Sequence, residues 1–390
     1  MSCYIASNNN RFYAAAEEIY GVAPAIGAEN RIPAVKLAIK QVLERPERKD
    51  KTGTRTFAGY PGRLRKQTSF ELRTYMTGWN NQTREPGYGP LFEAALGGAC
   101  RLYGGGAAGA GCEGRTLACD GPHGLTVGQA VSFGGEIRFV AALIDAQTVL
   151  LNAPFSVTPG PGSPLGKTAT YFPAEGLRSA SIFDYWSPAA AVQRILYGAG
   201  IDKMQVRVNG DYHEFRFTGM AKDLADSATF EAGQAGLSSF PPEPQEASFD
   251  YSIIPGHLGQ AWLGPMSERF FTITAAEVTL DNDLDMRARE FGALTPRCLV
   301  PGMRKVTVDF SLYGRDDEAT VALYQAAQQQ SPIEVMFQLG EAPGQLFGMY
   351  LKSVIPEAPE FDDSETKLEW HFRGCRAQGT IGDELVVAFG

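Results

Sequence analysis

The stretch Gly160-Pro161-Gly162-Ser163-Pro164-Leu165-Gly166-Lys167-Thr168 is the nearest approach to a phosphate loop in the chain. Such a loop presents consecutive backbone N–H groups and a lysine to phosphate oxygens, and it needs glycine five positions before its second glycine. Pro161 stands there, and neither Pro161 nor Pro164 has an N–H to offer. Residues 168–172 read as strand rather than the helix that should follow, so nucleotide binding is not expected. Asp281, Asp283 and Asp285 have the opening spacing of a calcium loop. Met286, however, holds the place of the obligatory glycine and Gly292 that of the closing glutamate. A solvated acidic turn is expected instead. Cys100, Cys112, Cys119 and His123 lack the close pairing of zinc ligands. The four histidines, His123, His213, His257 and His371, stand apart with no nucleophile motif beside them. His213 and His371 fall in strand patterns, where a structural role is expected. No constellation supports a named reaction. The sequence thus predicts no enzyme, no metal site and no cofactor.

The elements that carry these residues repeat. Pro61-Gly62, a basic pair, then Phe70 and Leu72 return 240 positions later as Pro301-Gly302, Arg304-Lys305, Phe310 and Leu312. Leu91-Phe92-Glu93-Ala94-Ala95 finds an echo in Leu323-Tyr324-Gln325-Ala326-Ala327, and Phe215, Phe217 and Gly219 answer Trp370, Phe372 and Gly374. Three matches in one order predict tandem duplication. Each copy reads as a strand (34–42; 272–280), a long loop and a strong strand (65–75; 305–313). A short helix (90–96; 319–329) and further strands (204–208 and 212–218; 333–339 and 367–374) complete it. Val306, Val308, Phe310 and Leu312 alternate with polar residues, the period of a half-buried strand.

The first copy is longer. A Gly/Ala-rich break at 104–111 and a Gly/Pro-rich one at 160–164 bracket short strand patterns. The expected organisation is therefore residues 1–103 and 167–235 as the first unit and 104–166 as a small inserted β domain. A linker at 236–262 and a second unit at 263–390 follow. The insertion is expected to fold as a separate outer decoration, dispensable for assembly.

Two connections are too long for hairpins. Residues 43–64 carry Arg45, Arg48, Lys49, Lys51 and Arg55. Residues 281–303, their counterpart, carry Asp283, Asp285, Arg287 and Arg289. Both are expected to be arms that order against another subunit. Composition narrows the class further. With 390 residues, 44% of them apolar, a full core is available without staples. A net charge of −9 argues against a protein whose main task is gripping phosphates. The 44 glycines and 24 prolines favour a turn-rich β protein. No run of 18 apolar residues predicts a membrane helix. The N-terminus does not read as a secretory signal, and the six scattered cysteines read as reduced thiols of a protein made in the cytosol.

The opening Glu18-Ile19-Tyr20-Gly21-Val22-Ala23-Pro24 leads into a strand, a long charged loop, a strong strand and a Gly-Pro helix. With the ending Leu368-Glu369-Trp370-His371-Phe372-Arg373-Gly374 and a strand-like tail at 384–389, this resembles the major tail tube protein of long-tailed, siphovirus-like bacteriophages. The resemblance leaves out only about 104–166. It implies a mainly β fold: a β-sandwich or barrel tube domain with one flanking helix, here duplicated and carrying the inserted β domain. It implies self-assembly, with strands joined edge to edge in rings and the rings stacked through the long loops into a tube. Viral DNA would pass through the lumen without sequence-specific binding. Implied partners are other copies of the chain, a tape measure protein and a tail terminator, with no membrane. The place implied is the virion tail, assembled in the host cytoplasm. Family rings are hexameric, so a two-domain chain is expected to form a trimer with pseudo-sixfold symmetry. An acidic lumen that repels phosphates is expected with it. The alternatives are the inner tube of a contractile tail or secretion-type machine, and a monomeric carbohydrate-binding or adhesin-like β protein.

Overall fold

The computed structural model describes residues 4–79, 83–245, 249, 252–265 and 267–390. The fold is mainly β, with two α-helices among these residues.

Its backbone is one antiparallel sheet of eight strands. The order is Ala34–Leu43, Lys66–Tyr75, Glu214–Ala221, the second half of Arg194–Val208, Ile273–Asp281, Lys305–Tyr313, Glu369–Ala377 and Glu360–Asp362. Period-two patterning builds it. Thr68, Phe70, Leu72 and Thr74 are buried in one strand and Val306, Val308, Phe310 and Leu312 in another, while the residues between them face away from the core. The polar neighbours thus form one continuous charged face.

A second layer covers the apolar face in two pieces. One runs Arg31–Ile32, Asn10–Ala16, Ala180–Trp186, the first half of Arg194–Val208 and Asp223–Asp226. The other begins Glu268–Phe270, Gly259–Gly264, Ile333–Leu339 and Phe347–Ile355. It continues through Val386–Phe389 and Thr168–Tyr171 to Arg101–Tyr103. The order of pairing from Asn10–Ala16 to Glu214–Ala221 is the same as that from Gly259–Gly264 to Glu369–Ala377. In each, one strand (Arg194–Val208; Phe347–Ile355) leaves the second layer and ends in the eight-stranded sheet. Leu72 faces Phe217 where Leu312 faces Trp370. The match of Phe215 with Trp370 read from sequence is therefore two residues out of strand register. A slip of two keeps each side chain on its own face.

The helices differ in burial because they differ in pattern. In α1, Gly89–Leu96, apolar residues occur all round and every residue is buried. Phe92 packs between Phe215, Phe217, Phe347 and Phe389, tying both halves of the chain into one core. Gly97 stops this helix at φ +88°, where a side chain would be strained and its Cβ would meet Gly176 O at 2.2 Å. In α2, Glu318–Gln329, Asp317 caps the Thr320 N–H, and only Thr320, Leu323, Ala326 and Ala327 are buried.

The segment 104–166 has a four-stranded sheet and its own core of Leu117, Val131, Val140, Val149 and Leu151. It is also seated firmly on the second layer. Ile137 and Phe139 share a core with Trp262, Met336 and Tyr350, and Phe139 stacks on Tyr350 at 5.4 Å. Arg138 is wholly buried, 3.2 Å from Glu136, and donates to Gln260, Gln338 and the Pro154 carbonyl. Burial pushes its guanidinium down to about 10, with Glu136 opposing. A segment that contributes Phe139 and Arg138 to a shared core is more than a decoration hung on linkers.

Candidate assembly surface

Acids and bases pair between neighbouring strands of the charged face, directly opposite at Lys203–Asp281 and Arg207–Glu277 and on the diagonal elsewhere, where Arg73 stands opposite Arg216. Arg73 grips Glu214 with two bonds of 2.7 and 2.8 Å. Arg216 lies 3.1 Å from Glu71, Arg207 2.8 Å from Glu277 and Lys203 3.0 Å from Asp281. At the far end Arg373 approaches Glu360 at 3.8 Å and His371 approaches Asp362 at 3.6 Å. Burial raises the Asp281 carboxyl, but the Asp283 N–H and Lys203 outweigh it and hold it below its usual value. Such half-exposed pairs each contribute at most about 1 kcal/mol to stability. Their consequence is electrostatic: the face is a mosaic of both signs.

The eight-stranded sheet has two ends. Ala34–Leu43 pairs with Lys66–Tyr75 on one side only, and Val35, Val42 and Leu43 are exposed along it. Glu360–Asp362 likewise pairs with Glu369–Ala377 alone. A ten-residue edge with exposed apolar side chains is a template for another strand. Midway between these ends lies a seam, where Lys203–Val208 pairs residue by residue with Ala276–Asp281. Val206 and Val278 meet there, fully buried.

The two long loops behave differently. Residues 44–65 form no strand and are exposed almost throughout. Arg48 binds Asp50 at 2.6 Å, and Arg45 stacks over Tyr60, which packs edge-on against Phe57. Lys49, Lys51 and Arg55 are exposed in the same loop. The counterpart loop alternates instead. Asn282, Leu284, Met286 and Ala288 are buried, while Asp283, Asp285, Arg287 and Arg289 face solvent. The Asn282 amide donates to the Ala95 and Ile201 carbonyls, and Leu284 and Met286 lie over Gly200. Asp285 pairs with Arg287 at 2.5 Å, which holds its carboxyl well below the usual range. The Arg289 carbonyl accepts from Arg65, at the foot of the first loop. Of the residues expected to contact another subunit, the five of the first loop and the four of the second are thus all solvent-facing, but only the second set rides on a docked segment.

Sequence reasoning passed over Lys36, Lys40 and the cross-strand pairs. The alternation of Lys36, Leu37, Ile39 and Lys40 was the available signal, but it does not reveal that one side of that strand stays open. His213 and His371 sit in or beside strands. His213 Nε2 is 2.9 Å from the Leu258 carbonyl, and His371 Nδ1 is 2.7 Å from Ser311 Oγ.

The described residues thus present a broad sheet with a charged face and two open edges. The phage tail tube protein family matches residues 7–372, and the chain belongs to that family. No curated protein matches the chain. It is therefore a structural component of a phage tail.

Proposed function

We propose that each chain carries two tandem tube units and that three chains close head to tail into a pseudo-sixfold ring of the tail tube. The observation that carries this reading is the seam. It already joins two like-ordered sets of strands edge to edge inside the chain, and the open edges at 34–43 and 360–362 can repeat that join between chains. Three chains would supply about 24 inner strands, and closure would remove every edge. The charged face would then line the lumen. Phosphates passing over alternating, paired charges meet no continuous basic stripe to bind, so DNA slides. Stacking of rings is assigned to the exposed loop at 43–64, with Arg45, Arg48, Lys49, Lys51 and Arg55. The solvent side of the second loop (Asp283, Asp285, Arg287 and Arg289) contributes too. A tape measure protein inside and a terminator at the end complete the tube, in the virion tail, after assembly in the host cytoplasm. Non-contractile tails are the setting proposed.

Negative-stain imaging of concentrated protein tests this reading. Rings or hollow filaments are expected. A particle that stays a single chain by light scattering at the same concentration would contradict it.

A further inference from the structure

We infer that the two open edges recognise each other through a charge pattern reversed relative to the seam, so that a second copy of the chain docks in one order only. The inference rests on the ring reading above and adds what selects the partner edge.

At the seam the strand on the Arg194–Val208 side brings bases, Lys203 and Arg207, and the facing strand brings acids, Glu277 and Asp281. Gln205 also donates to Glu277 across the diagonal at 2.8 Å. The open edges occupy the corresponding places. Lys40 pairs with Ser69 as Glu277 pairs with Asp309, so Lys40 stands where Glu277 stands. Phe361 pairs with Trp370 as Met204 pairs with Phe217, so Asp362 stands where Gln205 stands. Repeating the seam between chains would therefore set Asp362 directly opposite Val42 and on the diagonal from Lys40, as Gln205 lies from Glu277, with Glu360 opposite Glu44.

The surroundings are reversed in the same sense. Residues 34–43 contain Lys36 and Lys40 and no acid, whereas 357–365 contain Glu357, Glu360, Asp362, Asp363 and Glu365 and no base. Glu44, in the place of Asp281, is the one acid at the basic end, and it already belongs to the exposed loop. Lys36 and Lys40 are exposed and have no ion-pair partner among the described residues. Among those residues the only ion contacts of Glu360 and Asp362 are the long ones to Arg373 and His371, and Asp362 also accepts from the Ser364 N–H at 2.9 Å. Opposite charge across strands attracts, and like charge directly opposite repels. The basic edge of one chain therefore fits the acidic edge of the next. Pairing of two basic or two acidic edges is disfavoured, as is invasion of the seam by a wrong edge: Lys40 in place of Glu277 would face Arg207.

The test uses the full chain with edge reversals: Lys36→Glu with Lys40→Glu, Glu360→Lys with Asp362→Lys, and all four together. Assembly is read by sedimentation and negative stain in low and high salt, with circular dichroism and melting to confirm folding. Each two-site reversal should raise the critical concentration for assembly at least tenfold at low salt, because the two edge strands, 34–43 and 360–362, then carry one sign. The four-site variant should assemble close to wild type. Equal assembly by all variants, or four-site variants that fold but stay unassembled, would overturn the charge pattern while leaving the ring reading intact. Wild-type protein that never assembles would instead remove the ring reading itself.

Discussion

Lys203 Nζ lies 3.0 Å from Asp281 Oδ2, across the last pair of the ladder that joins the two halves of the chain. The contact marks the seam without holding it. Behind it Val206 and Val278 are fully buried, and that apolar burial stabilises the join more than the exposed charges do. Arg207→Ala should therefore cost less than about 1 kcal/mol, since its side chain is 72% exposed. Val278→Asp should cost several times as much, about 3–5 kcal/mol, by burying an unpaired charge. Chemical denaturation of the two variants checks the ranking. Equal losses would mean that charge, not packing, holds the seam.

The inserted segment should be structurally coupled to the second layer. Arg138→Ala would leave the buried Glu136 unpaired and cost about 3–5 kcal/mol. Phe139→Ala, which unstacks Tyr350, should cost a similar ~3–5 kcal/mol. Excising 104–166 should uncover Trp262 and Tyr350 and yield protein that aggregates. A melting curve unchanged by Phe139→Ala would show that the segment is only tethered.

Stability should fall as the medium is acidified past about pH 6.5. His213 is 1% exposed, and burial, with His257 adding to it, lowers its pKa despite the bond to the Leu258 carbonyl. Its Nδ1 has no hydrogen-bond partner among the described residues. With the folded pKa depressed, the unfolded chain takes the proton first. The stabilisation is complete above about 6.5 and is lost as pH falls toward the folded value, at up to about 1.4 kcal/mol per pH unit. Burial raises the Glu85 carboxyl, which acts in the opposite sense, so the imidazole's share is read from the variant. His213→Gln should flatten the pH dependence below about pH 6.5, and an unchanged slope would assign it elsewhere.

The loops should part under limited trypsin. Arg45, Arg48, Lys49, Lys51, Arg55 and Arg63 lie in an exposed stretch and should be cut first. Arg287 and Arg289 ride on a segment pinned by Met286 and Leu284 and should be cut later. Met286→Asp should release that segment and equalise the rates. Early cleavage at Arg287 in the wild type would contradict the docking.

Much of the fold was legible from residue patterns. The strands at 66–75 and 305–313 alternate strictly, and α1 is marked by Pro90 at its start; the Asp317 cap of α2 was not read, and that helix was begun at 319. Long-range pairing was not legible. Nothing local in Lys203–Val208 says that it meets Ala276–Asp281, because a ladder partner leaves no trace in one strand's own periodicity. For the same reason the open edge at 34–43 looked like any strand, and Lys36 and Lys40 like ordinary surface lysines. The loop at 281–303 was read as non-periodic because its buried positions mix Asn282, Leu284, Met286 and Ala288, so the alternation is weak in hydropathy. The seat of the insertion was hidden because Ile137 and Phe139 meet Met336 and Tyr350 some 200 residues on.

The number of chains in one ring tests the account most directly, and native mass measurement of isolated rings, with rotational averaging of end-on views, reads it. Three chains per ring, with three outer projections from the inserted segment, is the result predicted if the seam alternates within and between chains. Six chains per ring, with six equal projections, would contradict it.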